Sequence, residues 1–122
     1  MKKIFLFSVL ILSIFFIGNL KIGAKMENDF TQVRAAHILV PTEKEAADLK
    51  AKIIAGEIKF EDAAAQFSQC PSGARGGDLG YFGRGMMVPE FEIPSFKEPV
   101  GTVTEPIQTQ FGWHLIHVID KK

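Results

Sequence analysis

His37, Cys70, Asp78, His114 and His117 are the side chains of this sequence best suited to chemistry, and their spacings suggest different kinds. His114 and His117 stand three positions apart, which on a helix would put two imidazoles on one face, ready to hold a metal ion. On a strand the same spacing sends them to opposite faces. No second cysteine or paired histidine completes a ligand set, so no metal site is expected. Cys70 opens a glycine-rich stretch and could serve as a nucleophile if His37 or His114 approached it as a base. No hydrolase signature surrounds it, and a lone cysteine is most often a small buried apolar residue. His37 and His114 each lie within an apolar run, where a single histidine is usually a hydrogen-bonded core residue. If their two strands are neighbours in one sheet, the rings could meet across the ladder and share a hydrogen bond.

The elements that must carry these residues can be read from local pattern. Residues 33–40 are rich in Val, Ile, Leu and Ala, stop before Pro41 and predict a strand with Ala35, His37 and Leu39 on one face. Thr42 with Glu45 three positions on has capping-box spacing. It opens a helix whose apolar positions Ala46, Leu49, Ile53 and Ile54 recur until Gly56. A second helix is expected over 60–67, with Phe60, Ala63, Ala64 and Phe67 on one side. Six glycines between positions 70 and 85 exclude regular structure throughout that stretch and predict several tight turns. Residues 88–96 allow a short helical turn that Pro94 should break. Residues 101–107 and 114–119 read as strands, with a turn over 108–112. This order predicts an α+β fold with a small antiparallel sheet.

The chain has 122 residues, 47% of them hydrophobic, with 14 basic and 14 acidic side chains and one cysteine. That is room for one compact domain, and a single cysteine excludes an internal disulfide. Residues 1–24 hold Lys2, Lys3 and Lys21 and no acid, which leaves 11 basic against 14 acidic residues over 25–122, a net charge of −3. Such a domain has no electrostatic footprint for nucleic acid or an anionic membrane. Lys2 and Lys3 followed by the uncharged run 4–20 give the order of a secretory signal, with Ala24 at the cleavage position. The same run is at the lower limit for crossing a bilayer, so an uncleaved anchor is the alternative. Residues 1–24 are therefore expected to direct export, to a periplasm or other extracytoplasmic space. Residues 25–32 should form a linker and 33–122 the folded domain.

Longer motifs add a resemblance. Arg34-Ala-Ala-His-Ile-Leu-Val40, Phe60-Glu-Asp-Ala63, Ser68-Gln-Cys-Pro-Ser-Gly-Ala-Arg-Gly-Gly-Asp-Leu-Gly-Tyr-Phe-Gly-Arg-Gly85, Met87-Val-Pro-Glu-Phe91 and Thr109-Gln-Phe-Gly-Trp-His-Leu-Ile116 resemble the parvulin (PpiC-type, rotamase) peptidyl-prolyl isomerases over nearly all of 33–120. The resemblance implies a four-stranded antiparallel sheet surrounded by about four helices, with His37 and His114 as paired histidines on adjacent central strands. It implies that Cys70 faces the isomerising bond and that Thr109 hydrogen-bonds the histidine pair. Leu79, Met87 and Phe91 would form the apolar cup for the proline ring, with Phe111 at a further lining position. The implied substrate is a proline-containing polypeptide, with no cofactor, no metal and a monomeric enzyme. The segment Pro41-Thr-Glu-Lys44 lacks the basic cluster of the phosphorylation-dependent branch, and no tryptophan-rich module precedes the domain, so phosphate dependence is not expected. Pro94 departs from the family pattern behind Phe91. A binding module of the same fold with little catalysis, holding exported chains, is the competing reading.

Overall fold

The computed structural model describes residues 30–122. The expected leader over 1–24 and residues 25–29 of the expected linker lie outside the described residues. Strand β1 (Gln32–Val40) is followed by helices α1 (Glu43–Ile54) and α2 (Phe60–Phe67), a 3-10 helix (Pro71–Arg75) and strand β2 (Asp78–Gly83). Helix α3 (Pro89–Lys97) and strands β3 (Ile107–Thr109) and β4 (Gly112–Lys121) complete the chain. The strands form one antiparallel sheet in the order β2-β1-β4-β3, so β1 and β4 are central. Three α-helices and the 3-10 helix surround it among the described residues.

Local signals explain the helices. Thr42 caps α1, its hydroxyl oxygen accepting the Glu45 N–H at 3.2 Å while the hydroxyl donates to the Glu45 carboxylate at 2.8 Å. Gly56 follows the C-terminus of α1 with a φ of 79°, and its N–H reaches the Ile53 carbonyl. Glu61 and Asp62 in the first turn of α2 match the positive end of its dipole.

Alternation along β1 and β4 divides the core into two layers. Ala36, Ile38, Val40 and Leu115 pack under α1 and α2 against Ala46, Leu49, Phe60, Ala63 and Ala64. Val33, Ala35, Ile116 and Val118 face the other way, against Phe82 of β2 and Phe91 and Phe96 of α3. Burying rings such as Phe82 and Phe96 contributes on the order of 2–3 kcal/mol each. At the lower edge of the sheet the Lys122 carbonyl accepts N–H groups of Thr31 and Gln32, and the Lys122 N–H returns to Gln32.

Four expectations from pattern are corrected. The glycine-rich stretch contains a strand, β2, because β1 supplies its hydrogen-bonding partner and Arg34 donates to both Asp78 carboxylate oxygens through Nε and Nη2. Helix α3 runs through Pro94. The N–H that proline lacks would have served the carbonyl of Glu90, an exposed residue. The strand expected over 101–107 falls at Ile107–Thr109, with Val103 making only an isolated bridge to His117. The turn is confined to 110–111, and β4 is correspondingly longer at both ends than the expected 114–119.

Candidate active site

β1 and β4 bring His37 and His114 together on the α3 side of the sheet. In the register His37 lies opposite Ile116 and His114 opposite Leu39, so the two histidines are diagonal neighbours. Their Nδ1 atoms are 2.9 Å apart, and their ring planes differ by 18°. His114 Nε2 lies 2.8 Å from the Thr109 hydroxyl, whose oxygen also receives the Phe111 N–H at 3.1 Å. Phe91 stands edge-on to both imidazoles, with centroids 5.5 Å from His37 and 5.4 Å from His114. His117 points to the opposite face and packs on Phe60 at 5.3 Å, so the strand spacing separates the two histidines that a metal would need together.

The hydrogen-bond chain allows two proton arrangements. If the Thr109 hydroxyl donates to His114, then His114 Nδ1–H donates to His37 and the His37 Nε2–H is left over. If the chain runs the other way, the leftover is a lone pair on the same atom. His37 Nε2 is buried and has no protein partner. Each arrangement places one proton on each ring. Burial pushes His37 down to about 4, with the nearby His114 as a lesser cause, and burial lowers His114 as well. Both rings are therefore neutral near pH 7.

That neutrality carries a stability prediction. An unfolded chain binds protons at these histidines as pH falls through about 6.5, whereas folded His37 stays neutral until pH approaches 4 and burial holds His114 below its ordinary value as well. Folding stability should be full above 6.5 and should decline across the window below it, by up to about 1.4 kcal/mol per pH unit for each ring that stays neutral. Urea titrations at a series of pH values check this. Equal stability at pH 7 and pH 4.5 would contradict buried, neutral histidines.

A cleft of about 540 Å³ opens over the pair. Leu79, Met87, Phe91, Phe111, Cys70, His37 and His114 line it, together with Leu39, Gln69, Pro71, Met86 and Val88. Thr109 is buried behind His114 and is not among the residues lining the cleft, but its hydroxyl touches two that are, His114 and the Phe111 N–H. Cys70 is half-buried, and its sulfur accepts the Ser72 hydroxyl at 3.3 Å. Neither imidazole is hydrogen-bonded to it: His114 is engaged by His37 and Thr109. Asp78 lies outside the cleft. Its carboxyl is held below the usual carboxylate range, chiefly by the Arg34 guanidinium, and it also accepts the Gly80 N–H.

Met86 lines the cleft beside Met87. It is 68% exposed, and its Sδ accepts the Gly83 N–H at 3.2 Å. Large soft side chains in a glycine-flanked stretch, Met86 and Met87 together, are the sequence signal that points to this wall.

Residues 25–120 match the family described as Rotamase: PPIC-type PPIASE domain. The chain belongs to this family, the parvulins. Foldase protein PrsA of Geobacillus kaustophilus is 47% identical over 97 residues, which cover 79% of this chain and 34% of that protein. Chaperone SurA of Bordetella avium is 37% identical over 101 residues, covering 75% of this chain and 20% of that one. The chain thus spans about a third or less of these relatives. The crystal structure of the peptidylprolyl isomerase PrsA from Bacillus anthracis superposes with a TM-score of 0.74 at 41% identity, over 79% of this chain and 45% of that one. The solution structure of NmPin, the parvulin of Nitrosopumilus maritimus, gives 0.67 at 40% identity over 74% of this chain and 97% of its own. The parvulin fold is therefore present together with the histidine pair and the apolar wall.

Proposed function

We propose that this protein is a peptidyl-prolyl cis–trans isomerase that accelerates Xaa-Pro rotation in exported polypeptides as they fold. The observation that carries the reading is an apolar cleft formed by Leu79, Met87 and Phe91 over a hydrogen-bonded, neutral pair of histidines. An Xaa-Pro bond rotates over a barrier of about 20 kcal/mol because amide resonance keeps it planar. Near the 90° twist that resonance is lost, the nitrogen becomes pyramidal and the group is less polar than the planar amide. An apolar wall around the proline ring favours this twisted state, and a neutral floor adds no charge that would favour the planar one. No group is transferred, so neither metal nor cofactor is required.

The absence of phosphate dependence is part of the same reading. Only Pro41 and Thr42 separate β1 from α1, and Lys44 is engaged by Asp48 at 2.9 Å. The proposed location outside the cytoplasm draws on the leader-like order of residues 1–24 and on the PrsA and SurA relatives. A monomeric enzyme acting on proline-containing chains completes the proposal.

NMR exchange spectroscopy on Xaa-Pro peptides tests it. The protein should accelerate cis/trans exchange, and Met87→Ala and His114→Ala should each reduce that acceleration by about tenfold or more, the equivalent of ~1.4 kcal/mol at the barrier. Phosphoserine before proline should give no gain. Peptide binding without acceleration would instead identify a holding module, and a large phosphoserine preference would overturn the specificity reading.

A further inference from the structure

We propose that Glu92 is a positioning residue for the wall of the cleft that carries Met86 and Met87, an inference that rests on the isomerase reading above. The wall is the loop between β2 and α3, and short contacts tie it down. Its Gly85 N–H donates to the Glu92 carboxylate at 2.6 Å. The guanidinium of Arg84 lies 4.0 Å over the ring of Phe96. The Sδ of Met86 folds back onto the Gly83 N–H. Gly85 has a φ of 85°, a conformation that side-chain-bearing residues rarely adopt, so the turn that presents this N–H depends on glycine.

Glu92 follows Phe91 directly on α3. One turn of that helix therefore supplies both the ring set against the histidines and the carboxylate that holds the methionine loop facing it. An ionised acceptor makes a stronger bond to a backbone N–H than a neutral one. Glu92 also lies in the first turn of α3, where any carboxylate favours the helix dipole. The two roles separate in Glu92→Gln, which loses the charge but keeps an oxygen that can accept the Gly85 N–H.

The experiment compares wild type, Glu92→Ala and Glu92→Gln by peptide-exchange kinetics and by amide hydrogen exchange at Gly85. Glu92→Ala should raise KM about fivefold with kcat within about twofold, as expected when a binding wall loosens without change to the twisted state. Its Gly85 amide should exchange about tenfold faster, the loss of protection expected for one opened hydrogen bond. Glu92→Gln should return KM to within about twofold of wild type, because the acceptor is retained. A wild-type KM in Glu92→Ala overturns the proposal, and so does a Glu92→Gln as impaired as the alanine. If Glu92→Ala does not fold, wild-type Gly85 decides: rapid, unprotected exchange overturns the proposal and protection supports it. If wild type binds peptide but gives no acceleration, the isomerase reading fails by itself. The clamp is then judged by whether Glu92→Ala weakens peptide Kd.

Discussion

Gly77→Ala should lower the stability of the domain by about 3 kcal/mol or more, enough to reduce Tm by over ~10 °C in a domain of this size. Gly77 has a φ of 83°, where an alanine alone costs roughly 1–2 kcal/mol. Steric overlap costs more. A Cβ at this position would sit 2.3 Å from the His37 carbonyl oxygen and 3.1 Å from the His37 nitrogen. Both are backbone atoms of a central strand, so no rotamer change can relieve the clash. The same approach makes a bond, since the His37 N–H donates to the Gly77 carbonyl at 2.9 Å. Displacing Gly77 therefore displaces the backbone that aims His37 at His114. Gly80→Ala is the control: φ is 72°, but nothing lies within 4 Å of the added carbon, so only the conformational penalty should appear. Thermal unfolding of the two variants measures the difference. An alanine as well tolerated at 77 as at 80 would show that the close approach does not constrain the fold.

Phe91→Ala should produce the second large effect, on stability and on the histidines together. Phe91 is 3% exposed and touches His37, His114 and Phe82 with its ring. Removing it should cost about 3–5 kcal/mol, through lost burial and the cavity left behind. It also removes the apolar cover that keeps water from both imidazoles. Because burial is the main reason His37 is pushed down to about 4, hydration should move it back toward 6.5. Peptide-exchange acceleration should fall by about tenfold or more as the cup loses a wall. NMR titration of the imidazole protons and exchange spectroscopy read the two effects separately. A His37 that still titrates near 4 in the variant would show that Phe91 is not what keeps the pair dry.

Residues whose structure is dictated by near neighbours in the chain are legible in the sequence itself. Thr42 with Glu45, and Gly56 after α1, act within a single turn of chain, and the cap and stop occur where the spacing places them. Alternation likewise puts His37 on the face opposite Ile38. The histidine contact is not legible from spacing alone, because it depends on a register between strands separated by 77 positions, and only the family resemblance implies it. β2 is hidden by Gly80 and Gly83, whose low strand preference is overridden by pairing with β1 and by the Arg34–Asp78 bridge. β3 is three residues long, too short to show any period, and is positioned by β4. Pro94 misleads because a proline rule for helix interiors assumes that the orphaned carbonyl is buried. Here it belongs to exposed Glu90, while the Ser95 hydroxyl donates to the next carbonyl, that of Phe91.

The hydrogen bonds joining Thr31 and Gln32 to Lys122 have a consequence for assembly. Both strands that carry the histidines are anchored there, and His37 lies five positions along β1 from Gln32, about 17 Å of extended chain. Polypeptide attached at either position departs from the foot of the sheet, with the cleft mouth at its head. Splicing the domain into a host chain through these two adjacent positions should therefore leave the cleft open. The same geometry allows the two positions to be joined by a short peptide and the chain reopened at the exposed Gly56 turn, giving a circular permutant with its strand order in space unchanged.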